Sequence, residues 1–187
     1  MSAYLISMGT YVGFFMILAL ALNLQWGIAG MVNFGIAGFY AMGAYVSGLL
    51  VAKLGVPVGL AIPAACVAGW VLGGAVALLS VRLREDFLAI VTLGVGEVIR
   101  LIVLNEDQIT EGPRGLRIEG RPFGDLIGPE LYPLFYLLLV AVCVLITYLV
   151  CERIRRAPMG RTLRAIREDD VVAEVLGKNV LMHRVLT

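Results

Sequence analysis

Five long apolar runs, each about the length that crosses a lipid bilayer, decide what this chain can fold into. They cover Leu5 to Leu24, a glycine-rich stretch within Gly27 to Ala52, Val56 to Val81, Phe87 to Asn105 and Leu131 to Val150. A helix needs about 20 apolar residues to span the hydrocarbon layer. Lipid offers no hydrogen bonds, so each run must satisfy its own backbone groups, which a helix does. Of 187 residues, 60% are hydrophobic and 16% charged, with a mean hydropathy of +0.91. A soluble domain of this size needs more polar surface than that. The expected fold is all-α, a polytopic transmembrane helical bundle of about five spans, read as one domain over 1–187 with a cytoplasmic segment over 152–187.

The charges argue against several functions. The formal net charge is +1, so no basic field draws nucleic acid. His183 is the only histidine, and Cys66, Cys143 and Cys151 have no CxxC spacing. No metal site, catalytic residue or cofactor is therefore expected, and the cysteines read as small buried hydrophobes. Nothing before Lys53 is basic, so the first run lacks the charged start of a signal peptide and reads as a retained span.

Basic residues orient the spans. Eight of them follow Val150: Arg153, Arg155, Arg156, Arg161, Arg164, Arg167, Lys178 and Arg184. The tail is expected in the cytoplasm. Counting back, 106–130 lies outside, Arg82 and Arg84 inside, Lys53 outside, the Gln25–Gly30 turn inside and the N-terminus outside. The outer segment, with Arg114, Arg117 and Arg121 against six acids, reads as an ordered loop.

Two spans carry small residues at helical spacing. Ala44, Gly48 and Ala52 form one ridge, and Ala61, Ala65, Gly69, Gly73 and Ala77 a longer one. Small residues let helices approach closely where lipid supplies no hydrophobic force, so both ridges predict tight packing. Between Asn23 and Gly38 the polar Asn23, Gln25 and Asn33 sit among glycines. That pattern fits a broken helix lining a protein-buried path, or simply tight packing.

The run "LREDFLAIVTLGVGEVIRLIVLN" holds two charges at depth. At 1.5 Å per residue, Glu97 lies roughly 15 Å in from Phe87, with Arg100 about one turn further. Three residues apart, they can pair on one helix face. A lone charge there costs at least about 2.5 kcal/mol, so this face is expected to point to the bundle interior. The pair reads either as a structural ion pair or as a translocation-path element.

These residues resemble a known family. "LREDFLAIVTLGVGEVIRLIVLN", followed by "TEGPRGL", is similar to the LivM-type permeases (LivH/LivM family) of branched-chain amino acid ABC importers. "ALNLQWGIAGMVNFGIAGFYAMGAY" and "GRTLRAIREDDVVAEVLGKNV" resemble two further blocks, in the same order, so the likeness covers most of Leu20 to Val180. Ile36 stands where the family often has a small polar residue or histidine, and Glu111 where a glycine is common. Such permeases usually continue with several more spans, so the resemblance implies that this chain is C-terminally truncated.

The tail from Met159 to Asn179 reads as a helical segment. Leu163, Ile166, Val172, Ala173 and Leu176 give an apolar stripe, Arg164–Glu168 and Arg167–Asp170 are spaced to pair, and Gly177 suits a helix end. Composition alone allows a helix lying on the bilayer surface. The resemblance implies a coupling helix seated on an ATPase subunit, with Leu163, Ile166, Asp169, Asp170, Val172, Ala173, Leu176 and Gly177 at the contact. The match to the family's coupling motif is loose, because Val171 replaces its acid.

No GxxxxGK[ST] run is present, so ATP hydrolysis is expected in separate subunits. The resemblance implies a permease subunit, not an enzyme, importing branched-chain or similar hydrophobic amino acids through a bacterial inner (plasma) membrane. Its partners would be ABC ATPase subunits, a second permease, a periplasmic or extracellular substrate-binding protein and the lipid bilayer. The alternatives are a permease of a related simple-sugar or urea ABC importer, or an ATP-independent channel or structural membrane protein. A membrane enzyme is disfavoured, since no HExxH, GxSxG or CxxC arrangement occurs.

Overall fold

A computed structural model describes residues 2–80, 85–106, 110–116 and 127–186. Among them all regular structure is helical. The long helices are α1 (Ser2–Leu22), α2 (Ile36–Leu54), α3 (Val58–Ser80), α4 (Glu85–Asn105) and α5 (Tyr132–Arg156). Short helices α6 (Pro158–Glu168), α7 (Asp170–Val175) and α8 (Val180–Leu186) form the tail. Five helical stretches, one in each long helix, are long and apolar enough to cross a membrane, at Tyr4–Ile28, Ile36–Leu54, Val58–Leu78, Phe87–Asn105 and Tyr132–Arg156. The first expected run gains a π-helical turn (Asn23–Ile28). The last extends past Val150 to Arg156. Arg82, Arg84, Arg117 and Arg121 lie outside the described residues.

The chain divides into two compact units, one of Met1–Val32 with Leu126–Thr187, the other of Asn33–Asp125. In the first, α1 packs along α5 by letting glycine receive side chains. A Cβ on Gly9 would stand 3.1 Å from Leu137, and one on Gly13 would collide with Val140. Further along, the Cys151 thiol lies 4.0 Å from the Leu20 carbonyl. The register rises together in both helices, so α1 and α5 run parallel. Spans one and five must do so if each of the five helices crosses the bilayer once.

In the second unit α2 meets α4 backbone to backbone. A Cβ on Gly38 would stand 2.5 Å from the Gly96 Cα, and one on Gly35 would strike the Thr92 carbonyl. This register also rises together, so α2 and α4 are parallel, as spans two and four should be. Thr92 pins the contact. Its hydroxyl accepts the Phe34 N–H at 3.1 Å and donates to the Ala89 carbonyl at 3.0 Å. The side chain is almost fully buried.

The small ridges are used differently from what the spacing implies. Ala61 and Gly48 are buried, but a Cβ on Gly43, Gly69 or Gly73 would meet nothing within 4 Å. The tight contact of α2 falls instead at Gly35 and Gly38. Periodicity marks a face as smooth without saying which neighbour uses it.

After α4, the Thr110 hydroxyl donates toward the carbonyls of Val103 and Glu106 at 2.6 and 2.8 Å. Glu111 follows with φ 61°, the left-handed region. The Cβ of an L-residue crowds the backbone there, which explains why the resemblance places a glycine at this position.

Two stability predictions follow from these contacts, both read by thermal unfolding in detergent. Thr92→Val leaves the Phe34 N–H without its acceptor and should cost about 1–3 kcal/mol. Glu111→Gly relieves the left-handed residue and should stabilise by about 1 kcal/mol.

Candidate functional site

The polar residues between Asn23 and Gly38 sit where the first helix gives way. From Asn23 the turn widens to π geometry, which often accompanies function. The Asn23 carboxamide lies along Gly27, whose added Cβ would be 2.9 Å from its nitrogen. The Gln25 carbonyl accepts the Met31 N–H at 3.0 Å. Ile28, Ala29, Gly30 and Met31 are buried, so the irregular backbone that follows the turn is covered by protein. Asn33 opens the second unit. Its side-chain oxygen accepts the Gly35 N–H at 2.8 Å, closing an Asx-type turn before α2.

Glu97 and Arg100 are brought together on α4. Two near-parallel bonds join them, Nε to Oε2 at 2.8 Å and Nη2 to Oε1 at 2.6 Å. Among the described residues of this unit, no neighbouring helix covers them. The side chains are 53% and 58% exposed. The face turned to α2 carries Thr92 and Gly96, and Ile99 one turn on is buried. The approach is close, with a Cβ on Gly38 standing 2.5 Å from the Gly96 Cα, so side chains as long as this pair have no room between the two helices there. Within this unit the pair is therefore self-satisfied but uncovered.

The tail departs from a single helix. Asp169 takes extended φ and ψ of −159° and 111°, and its carboxylate accepts the Val172 N–H at 3.0 Å. It ends α6 and caps α7. Because of that break, Arg167 and Asp170 find other partners. Arg167 donates to the Gly27 carbonyl, and Asp170 accepts from Arg184 at 3.1 Å. Gly177 ends α7 as expected. Its φ of +78° suits glycine, the Gly177 N–H reaches the Glu174 carbonyl at 2.9 Å and the Lys178 N–H the Ala173 carbonyl at 3.1 Å.

This break splits the anticipated contact stripe. Leu163, Ile166 and Ala173 are 1%, 3% and 2% exposed and already packed inside the unit. They cannot also fill a partner's groove. Leu176 and Val172 do face out, joined by Val171 and Val175, with Val175 82% and Leu176 72% exposed. The outward apolar patch is thus Val171, Val172, Val175 and Leu176, and the predicted residues were a mixture of the two faces.

Three residues were missed in the sequence. Thr92 looks like an ordinary threonine in an apolar run, and only its partner Phe34, 58 residues away, marks it. Arg167 was read as a local pairing residue. Gly30 was counted among many glycines, although its φ is +77°.

Comparison with known proteins bears on the whole chain. A family described as "Branched-chain amino acid transport system / permease component" matches residues 4–187. The chain is 33% identical over 198 aligned positions to the high-affinity branched-chain amino acid transport system permease protein LivM of Salmonella typhimurium strain LT2, covering 92% of this chain and 46% of that protein. The LivM protein of Escherichia coli K12 gives the same identity and coverage. A probable branched-chain amino acid transport permease protein LivM of Methanocaldococcus jannaschii is 29% identical over 221 positions, covering 100% of this chain and 64% of that protein. The chain spans about half the length of the two bacterial relatives. No solved structure matches. With five helices able to cross a membrane and a match over nearly its full length, this multi-pass membrane chain belongs to the family of branched-chain amino acid transport permease components.

Proposed function

We propose that this chain forms the membrane permease of an ATP-driven importer for branched-chain or similar hydrophobic amino acids. It sits in a bacterial inner membrane with its N-terminus outside and residues 152–187 in the cytoplasm. The ATPase subunits, a second permease and a substrate-binding protein are separate chains. The observation that carries this reading is the outward apolar patch of α7. Val171, Val172, Val175 and Leu176 project from a segment whose other face, at Ala173, is buried. An apolar patch on a short capped helix beside basic residues suits a groove in a soluble partner, which is how ATP-derived motion would enter a chain without a nucleotide loop. Membership in a transport-permease family favours an ATPase as that partner. The parallel runs of α1 with α5 and of α2 with α4 support the alternating topology on which a cytoplasmic tail depends.

The Glu97–Arg100 pair fits the same reading. An ion pair at membrane depth is costly against lipid even when satisfied, so its open face calls for water or protein. We assign it to the lining of the translocation path, along with Asn23, Gln25 and Asn33.

In the assembled transporter, Val175→Glu together with Leu176→Glu would place charge against the partner groove. Breaking such a contact typically costs several kcal/mol, so ATPase co-purification and amino-acid uptake should both fall more than about tenfold. Arg161→Ala, away from the patch, should do much less. Normal co-purification with normal uptake would remove the docking assignment and favour a helix resting on the bilayer.

A further inference from the structure

We infer that Arg167 is a positioning residue that links the tail to the π-helical turn of the first span, so that motion of the tail is delivered to Asn23 and Gln25. The inference rests on the proposed ATP-driven function only for the source of that motion. The link itself is a contact within one compact unit.

A helix ends with carbonyls that have no partner in the next turn. Here three of the last ones are taken locally. The Ala29 N–H reaches the Leu24 carbonyl at 3.2 Å, the Gly30 N–H that of Trp26 at 3.2 Å and the Met31 N–H that of Gln25 at 3.0 Å. The Gly27 carbonyl is taken from afar, by the guanidinium of Arg167, 140 residues later. A cation at a helix C-terminus also meets the negative end of the helix dipole. Arg167 is therefore the cap of the first span, supplied by the tail.

Gly30 is a second, independent sign of the same link. Its φ of +77° favours glycine, and the space a Cβ would need is filled by Arg167, with Cγ at 2.7 Å and Cβ at 3.2 Å. The alkyl stem of the arginine lies in the notch that the glycine leaves. Bond and notch together fix where the side chain runs.

The other end of α6 is fixed as firmly. A Cβ on Gly160 would collide with the carbonyls of Ile154 and Arg155 at the end of α5, so α6 turns directly beneath that helix. Leu163 and Ile166 bury its inner face. Arg167, near the far end of this helix, attaches it to the first span through the Gly27 carbonyl and the Gly30 notch.

The bond falls on a segment that can respond. A π-turn holds one residue more than the α-turn it replaces. If the pull on Gly27 changes and the turn rewinds to α geometry, the residues within it rotate by about 100°, one helical step. Asn23 and Gln25 lie in that turn. A displacement of the tail that shifts Arg167 thus becomes a rotation of polar side chains in the first span.

The test compares Arg167→Ala, Arg167→Lys and Gly30→Ala in the complete transporter. It follows hydrogen exchange at the amides of 29–31, ATPase co-purification, ATP hydrolysis and leucine uptake in proteoliposomes. Exchange at 29–31 should quicken about tenfold in Arg167→Ala, the scale of one charge-assisted hydrogen bond. Uptake per ATP hydrolysed should fall about as far, with the ATPase retained. Lysine can still donate to one carbonyl, so Arg167→Lys should recover much of both. Gly30→Ala should resemble Arg167→Ala, and the double variant should be little worse than either single one.

Unchanged exchange in Arg167→Ala would overturn the link, whatever the partner does. Unchanged uptake per ATP, or loss of the ATPase from Arg167→Ala alone, would overturn its role in transmission. Retention of the ATPase by the Val175→Glu, Leu176→Glu chain would instead sink the docking reading, leaving the exchange result to decide the link.

Discussion

Close approach of helix backbones through glycine is the constraint on which both units depend. Between membrane helices lipid is as apolar as leucine, so association must come from packing and hydrogen bonding. This chain meets that need at Gly38 against Gly96, and at Gly9 and Gly13 against Leu137 and Val140. Thr92 adds a directional bond, to the Phe34 N–H, that fixes the rotation of α4 as well as its distance. Once Gly96 must face α2, the positions of Glu97 and Arg100 follow. Glu97 is turned away by one helical step and Arg100, one turn beyond Gly96, flanks the contact, and both side chains stay more than half exposed.

The tail obeys a different logic. It borrows a core, with Leu163, Ile166 and Ala173 buried in the unit that contains α1 and α5. Its polar bonds do the orienting. Asp169 starts α7, Asp170 takes Arg184 and Arg167 reaches the Gly27 carbonyl. At the end of α5, Glu152 pairs with both Arg155 and Arg156, at 2.6 Å each. Those cations stand at a helix C-terminus, where the dipole favours them. The result is a segment with one side committed and one side, at Val175 and Leu176, left apolar and open.

Much of this was legible in the sequence because hydropathy and length are local. Each expected run overlaps one of the five helices, though the second begins nine residues later and the fifth ends six residues later than expected, and polar residues among glycines mark the break after Asn23. Gly177 declared a helix end. What escaped notice was relational. The ridge at Gly69 and Gly73 has the right spacing for packing, yet nothing within the described residues lies against it. Glu97 and Arg100 were correctly paired, but which face they share with a neighbour depends on Gly38. The stripe from Leu163 to Leu176 was read as one helix. A single carboxylate at Asp169, whose capping role competes with helix continuation, divided it into an inner and an outer set. Arg167 could not be recognised because its partner is a backbone carbonyl far away in sequence.

The rotation of α4 is the central claim, since the placement of the charged pair follows from it. Single cysteines at positions 92, 93, 96, 99, 101 and 103, introduced into the membrane-inserted protein, can be labelled with a lipid-phase thiol reagent. The account predicts strong labelling at 93 and 101, which are exposed leucines on the open side, and little at 92 and 96, which face α2, or at 99, which is buried. Labelling at 96 and 99 equal to that at 93 and 101 would contradict it, because α4 would then not be held against α2 through Gly96.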